Sequence, residues 1–161
     1  MTKIISLLIM GVIALWVTRG YSTFIDRRLG QMRGILSLMK HMEEGISHTL
    51  GFGGDLYRDF SDKYLEDAGL LPLLREGVSP TEALSSDSVS LSLDSNWTDE
   101  VRSFFSDFGR GYLENEIRRV SDLRVRLSSE FETGSVLLEK NKKIASALIF
   151  GGWASIAILL V

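Results

Sequence analysis

Apolar residues recur at helical spacing through both long ends of the chain. Between Gly111 and Leu138, Leu113, Ile117, Val120, Leu127, Phe131 and Leu138 fall at steps of three, four and seven, and Arg124 and Gly134 occupy the two vacant places of that heptad register. This predicts one helix with a single apolar stripe. From Ile144 to Val161 eighteen residues carry no charge, directly after Lys140, Lys142 and Lys143. That is the pattern of a membrane span with a cationic collar. Proline is absent from the joint and Gly134 is its only nearby glycine, so the spacing predicts a continuous or mildly bent rod from Gly111 to Val161 that starts in water and ends in a bilayer.

The N-terminal end is built in the opposite order. Ile4 to Thr18 is uncharged, and a snorkelling Arg19 lets the apolar stretch run on through Ile25. The other reading is a secretory signal peptide with its h-region at Ile4 to Val17, but Trp16, Thr18, Arg19 and Tyr21 stand where small cleavage-site residues belong. A second stripe follows in Ile25, Leu29, Met32, Leu36, Met39, Ile46 and Leu50, widened by Ile35, Leu38 and Met42. This predicts a long helix over 22–50, buried on both sides. Its methionines suit either an adaptable partner groove or ordinary gap-filling in a core.

The middle of the chain reads as short helices. Gly51, Gly53 and Gly54 predict a hinge or turn, and Asp55 to Ala68 a third helix with Asp55 at its cap and Gly69 at its end. Leu70 to Arg75 is a short apolar piece around Pro72, and Ser79, Pro80 and Glu82 form a capping box that starts a short helix. In 85–95, Val89, Leu91 and Leu93 alternate with serines as a strand would; no second strand is available, which leaves a loop or a weak helix. Thr98 suits a helix cap, and Val101, Phe104, Phe105 and Phe108 give a buried face that Gly109 ends.

Charge narrows the function. Lys3 and Arg19 are the only charges outside 22–143, which leaves 16 basic against 21 acidic residues there, a net of −5. Such a surface does not attract nucleic acid. The absence of cysteine removes disulfides, thiolate metal sites and cysteine nucleophiles together. His41, Glu44 and His48 have a spacing that a metal could use on one helix, but no third ligand type clusters beside them, so solvated helix surface is the reading preferred. GFGG is neither preceded by a strand nor spaced as a phosphate loop, and no Ser-His-Asp set appears. The apolar ends contain no ionisable group between Ile4 and Thr18 or between Ile144 and Val161, so they offer no proton relay. No enzyme, cofactor or metal is expected. Arg28, Gln31 and Arg33 follow the first apolar stretch within two turns, suiting lipid headgroups or an acidic partner surface. Ala147, Gly151 and Ser155 lie four apart beside Gly152 and clear a narrow face for close packing against the first span around Gly11 or the span of another subunit.

Arg28, Gln31, Met32, Arg33, Ile35, Met42, Glu43 and Ile46 match, at the same spacing, the first helix of the stage III sporulation protein AB family, whose pattern runs R-P-x-Q-L-R-x-L and then L-E-x-E-I. Pro72-Leu73, Glu82-Ala83, Phe104-Phe105 with Phe108-Gly109, and Ile158-Leu159-Leu160 follow in the family's order, so the resemblance covers nearly the whole chain. Leu29 stands where the motif has proline, Gly45 where it has its second glutamate, and Leu84 where it has tryptophan; the segment after Gly109 also departs from the family pattern. The resemblance implies a helical domain similar to the inner-membrane platform of type II secretion and type IV pilus machines. It further implies the outer forespore membrane of an endospore former, and work with a cytoplasmic hexameric ATPase and other channel subunits.

These readings predict an all-α chain: an N-terminal transmembrane segment at 1–21, a cytoplasmic helical bundle at 22–143 with two long antiparallel helices and shorter ones packed on them, and a C-terminal transmembrane segment at 144–161. The arginines after the first span and the lysines before the second put that domain in the cytoplasm. The expected core includes Met32, Met39, Ile46, Phe104, Phe105, Phe108, Ile117 and Leu127; the expected partner-binding residues are Arg28, Gln31, Arg33 and Glu43; and Ala147, Gly151, Gly152 and Ser155 are expected to pack membrane helices. The function expected is a non-enzymatic platform or assembly subunit, touching lipid but no nucleic acid, with a homo-oligomer left open. The competing reading is a membrane-tethered coiled-coil spacer or receptor-like linker; a membrane hydrolase lacks candidate residues.

Overall fold

The computed structural model describes the backbone of residues 2–49 and 55–160, with side chains from Leu8 to Ser47 and from Leu56 to Ile158. The glycine turn at 51–54, the stripe position Leu50 and the last residue, Val161, lie outside the described residues, as do the side chains of His48 and Asp55. Every regular element described is helical: α1 Thr2–Thr49, α2 Asp55–Arg58, α3 Lys63–Asp67, α4 Leu70–Arg75, α5 Pro80–Ser85, α6 Ser95–Asp107 and α7 Leu113–Leu160. Contacts divide the chain into two compact units, one of Arg27–Glu132 and one of the described residues up to Asp26 and from Thr133 onward.

In the Arg27–Glu132 unit the core is the inner face of α1. Leu29, Met32, Ile35, Leu38, Met39, Met42 and Ile46 are all buried, which is the wide stripe that the three-and-four spacing predicts. The three methionines on this face fill core rather than line an open groove. Phe104 and Phe105 of α6 and Leu127 of α7 join the same cluster, with Phe108 and Ile117 half-buried against it. The three phenylalanines pack at centroid separations of 5.2, 5.3 and 6.1 Å. Leu123, which lies outside the predicted α7 stripe, is buried as well, so the apolar face of α7 is broader there than heptad spacing indicates.

Glycines let the short helices press onto α1. A Cβ at Gly30 would stand 2.5 Å from the Tyr64 ring, one at Gly34 would stand 2.7 Å from the Asp62 carboxylate, and one at Gly45 would stand 2.4 Å from Leu56. The last contact is with the end of the Leu56 side chain of α2. Leu29 and Leu84 are both buried, Leu29 in the unbroken interior of α1.

Two local predictions need correction, and the apolar piece around Pro72 gains its structure. Asp55 to Ala68 is two short helices rather than one, because the Asp62 side chain accepts a hydrogen bond from the Leu65 amide at 3.0 Å and starts a new helix. The apolar piece around Pro72 is a helix, with proline in its first turn where no amide is needed. Thr98 is inside α6 rather than at its cap; Asp94 holds the cap position, and the Thr98 hydroxyl bonds back to the Asp94 carbonyl at 3.1 Å. The Ser79 cap is as predicted, with its hydroxyl accepting from the Glu82 amide at 3.3 Å and Pro80 opening α5. Gly109 follows α6 with φ +84°.

Candidate functional site

The motif residues of α1 converge on the segment between α5 and α6. Gln31 is fully buried; its Nε2 donates to the Ser90 carbonyl at 3.1 Å and its Oε1 accepts from the Ser92 amide at 2.6 Å. Those are the two bonds that a neighbouring strand would supply to an extended backbone. A side-chain amide therefore takes the place of the missing second strand; the segment is a loop, and its Val89, Leu91 and Leu93 pack half-buried against the core. On its other side Ser90 donates its amide to the Ala68 carbonyl at 2.9 Å. Arg27 reaches the Ser90 carbonyl at 3.4 Å, and Arg28 forms an ion pair with Asp94 at the start of α6. One turn of α1 thus grips the whole 90–94 segment.

Further along α1 the partners lie on α7. Arg33 stacks over the Phe131 ring at 5.5 Å, and the Glu43 carboxylate accepts from Arg124 Nε at 2.9 Å. The residue numbers rise on α1 as they fall on α7, so the two helices are antiparallel within this unit. The pairing also explains the arginine in the heptad register: Arg124 occupies a seam position because a carboxylate faces it. Arg28, Gln31, Arg33 and Glu43 therefore all have partners inside the domain.

Two features gave no sequence signal. Glu116, one turn into α7, is fully buried, and its Oε1 accepts from the Gly111 amide at 3.0 Å and from Arg119 at 3.1 Å. A carboxylate near a helix start is common enough to escape notice; only the fold of the 108–112 turn over it shows its use. Tyr57 is buried in α2, and desolvation pushes its phenol from an ordinary 10.0 up to about 12. His41, from the metal-spaced trio, instead faces the Phe60 ring at 5.4 Å, while Glu44 pairs with Lys40 at 3.8 Å. Among the described residues no group of three or more potential ligands could hold a metal ion.

In the other unit α1 and α7 are again antiparallel. The Lys142 ammonium donates to both oxygens of Asp26 at 2.7 and 2.8 Å, and a Cβ at Gly11 would stand 3.2 Å from the Trp153 ring. The close approach around Gly11 is thus filled by an indole. Ala147, Gly151, Gly152 and Ser155 are exposed, and a Cβ on either glycine would meet nothing within 4 Å. The Ser155 hydroxyl is satisfied within its own helix by the Gly151 carbonyl at 2.9 Å.

Comparison with protein-family models, with curated proteins and with solved structures finds no match to the chain. Among the described residues one helix, Leu8–Ser47 within α1, is long and apolar enough to cross a membrane; its most apolar stretch has a mean hydropathy of 1.5 and is only 6% buried. The stretch lies near the N-terminus, where a membrane span and a signal sequence both pass this test of length and composition.

Proposed function

We propose that the chain is a non-enzymatic platform subunit of a sporulation channel or secretion-like complex in the outer forespore membrane, with its helical domain in the cytoplasm facing a hexameric ATPase. The supporting observation is that the two long helices which contribute to the core, α1 and α7, also carry exposed apolar ends, one of which, in α1, is long and apolar enough to cross a membrane. A platform between a motor and membrane partners requires a folded domain joined to the membrane by its own chain. The resemblance to the stage III sporulation protein AB family supplies the biological setting. The basic residues beside both apolar ends support cytoplasmic placement of the domain.

The spacer reading is weaker on a specific ground. A coiled-coil spacer needs only the long stripes, whereas this domain buries Leu65, Leu71, Leu74, Trp97 and Phe105 from helices that a spacer would lack. Crosslinking in sporulating cells of an endospore former tests the proposal. The expected product joins the domain to the hexameric ATPase of the sporulation channel or to another of its membrane subunits. A chain that crosslinks only to itself, with normal spore formation in its absence, would sink the proposal and favour the spacer.

A further inference from the structure

We infer that the seam between the apolar ends of α1 and α7 holds one phospholipid with a primary-amine headgroup. The inference rests on the reading that these ends lie in a membrane. Two cavities open on this seam, both within the unit formed by the described residues up to Asp26 and from Thr133 onward. The polar one, about 500 Å³, is lined by Asp26, Glu139, Lys142, Lys143, Ser146 and Ala147. The apolar one, about 230 Å³, is lined by residues that include Leu8, Gly11, Leu15, Phe150 and Trp153.

Spacing joins the two cavities into one amphipathic track. On α7, Glu139, Lys143, Ser146, Phe150 and Trp153 follow one another at three- and four-residue steps, so they share a face, with Lys142 at its edge. Four residues separate Ser146 from Phe150, about 6 Å of helix, and eleven separate Lys142 from Trp153, about 16 Å. A lipid with its phosphate beside the lysines would therefore lay the first half of an acyl chain along Phe150 and Trp153. Gly11 leaves room for the indole that forms one wall.

Charge selects the headgroup. Lys142 and Asp26 satisfy each other, which leaves one carboxylate, Glu139, and one ammonium, Lys143, facing the polar cavity with no ion-pair partner among the described residues. One charge of each sign fits a zwitterion: a phosphate against Lys143 and the Ser146 hydroxyl, and an ammonium donating to Glu139. An anionic headgroup would leave Glu139 unmatched. A choline headgroup has no N–H to give it.

The full-length chain is inserted into nanodiscs of equal parts phosphatidylethanolamine, phosphatidylcholine and phosphatidylglycerol, and lipid retained after release is weighed by native mass spectrometry. Phosphatidylethanolamine is expected to exceed each of the others roughly three- to tenfold, the range that one hydrogen bond supplies. Glu139→Gln should erase the preference over phosphatidylcholine, while Lys143→Gln should reduce retention of all three. Both positions are exposed, and circular dichroism checks that the variants keep their helix. Equal retention of the three lipids, or a preference for phosphatidylglycerol, overturns the inference. Protease protection in the same discs keeps the two readings apart: a chain that is not inserted overturns both, and an inserted chain without selectivity overturns this one alone.

Discussion

Gln31 and Ser92, sixty-one residues apart, are joined by a 2.6 Å hydrogen bond from a backbone amide to a fully buried side-chain oxygen. With the companion bond to Ser90 it makes Gln31 the element that fixes an otherwise unsupported extended segment on the core. Gln31→Leu keeps the volume but removes both partners. It should lower stability by about 1–3 kcal/mol, the usual result of leaving backbone groups unpaired, and lower Tm by several degrees. Thermal melts of the detergent-solubilised chain, followed by circular dichroism, check this. An unchanged melt would mean that water replaces the amide without loss.

Two glycines in long helices should respond with opposite sign to the same substitution. Alanine gains about 1 kcal/mol over glycine in a helix interior. At Gly134 nothing lies within 4 Å of an added Cβ, so Gly134→Ala should raise Tm. At Gly34 the Cβ would stand 2.7 Å from the Asp62 carboxylate that caps α3 and 2.8 Å from Leu65 Cγ. Relieving that overlap should cost about 1–3 kcal/mol, more than the propensity gain, so Gly34→Ala should lower Tm. A rise in both proteins would show that α3 can back away from α1.

Tyr57 gives the domain an alkaline limit. Its phenol ionises near 10 in an unfolded chain and near 12 in the fold, so the folded state holds its proton longer. Stability is unaffected below about pH 10 and is lost as pH rises from there toward about 12, by about 2–3 kcal/mol at the upper end. Tyr57→Phe should therefore melt like the parent at pH 7 and above it at pH 11. Comparing the two proteins at each pH cancels the titration of lysines that both share. Parallel curves would place the phenol in contact with water.

What the sequence disclosed and what it concealed divides by range. The α6 phenylalanine face, the Ser79–Pro80–Glu82 start of α5 and both long helices are periodic or local patterns, and they appear where spacing puts them. The break at Asp62 is also local, but it turns on one carboxylate choosing a backbone amide over solvent, which leaves no periodic trace. The 90–94 segment was unreadable because its partners, Gln31 and Arg28, lie 59 to 66 residues away. The candidate residues show the same limit. Arg28, Gln31, Arg33 and Glu43 stand out as a motif, yet nothing in their spacing shows that each has a partner within the domain. Arg124 is a gap in the apolar stripe by spacing alone, and its partner Glu43 lies 81 residues away.

The C-terminal end supports a test that separates packing within the chain from packing against another subunit. Trp153 already occupies the space over Gly11, so Gly11→Leu must displace an indole and should lower the melting temperature of the solubilised chain. Gly151 faces open space, and leucine there should leave both the melt and membrane insertion intact, since leucine is the more apolar residue. Spore formation is the discriminating measurement if the chain serves the sporulation channel proposed above. If the face of Ala147, Gly151, Gly152 and Ser155 receives the span of another channel subunit, Gly151→Leu holds that span away and spore yield falls while the protein itself stays inserted and folded. The loss should be partly restored by Gly151→Ala, whose single methyl group still permits close approach. A Gly151→Leu strain that sporulates fully would retire the packing face and leave this segment as an anchor, with Trp153 against Gly11 as its contact within the chain.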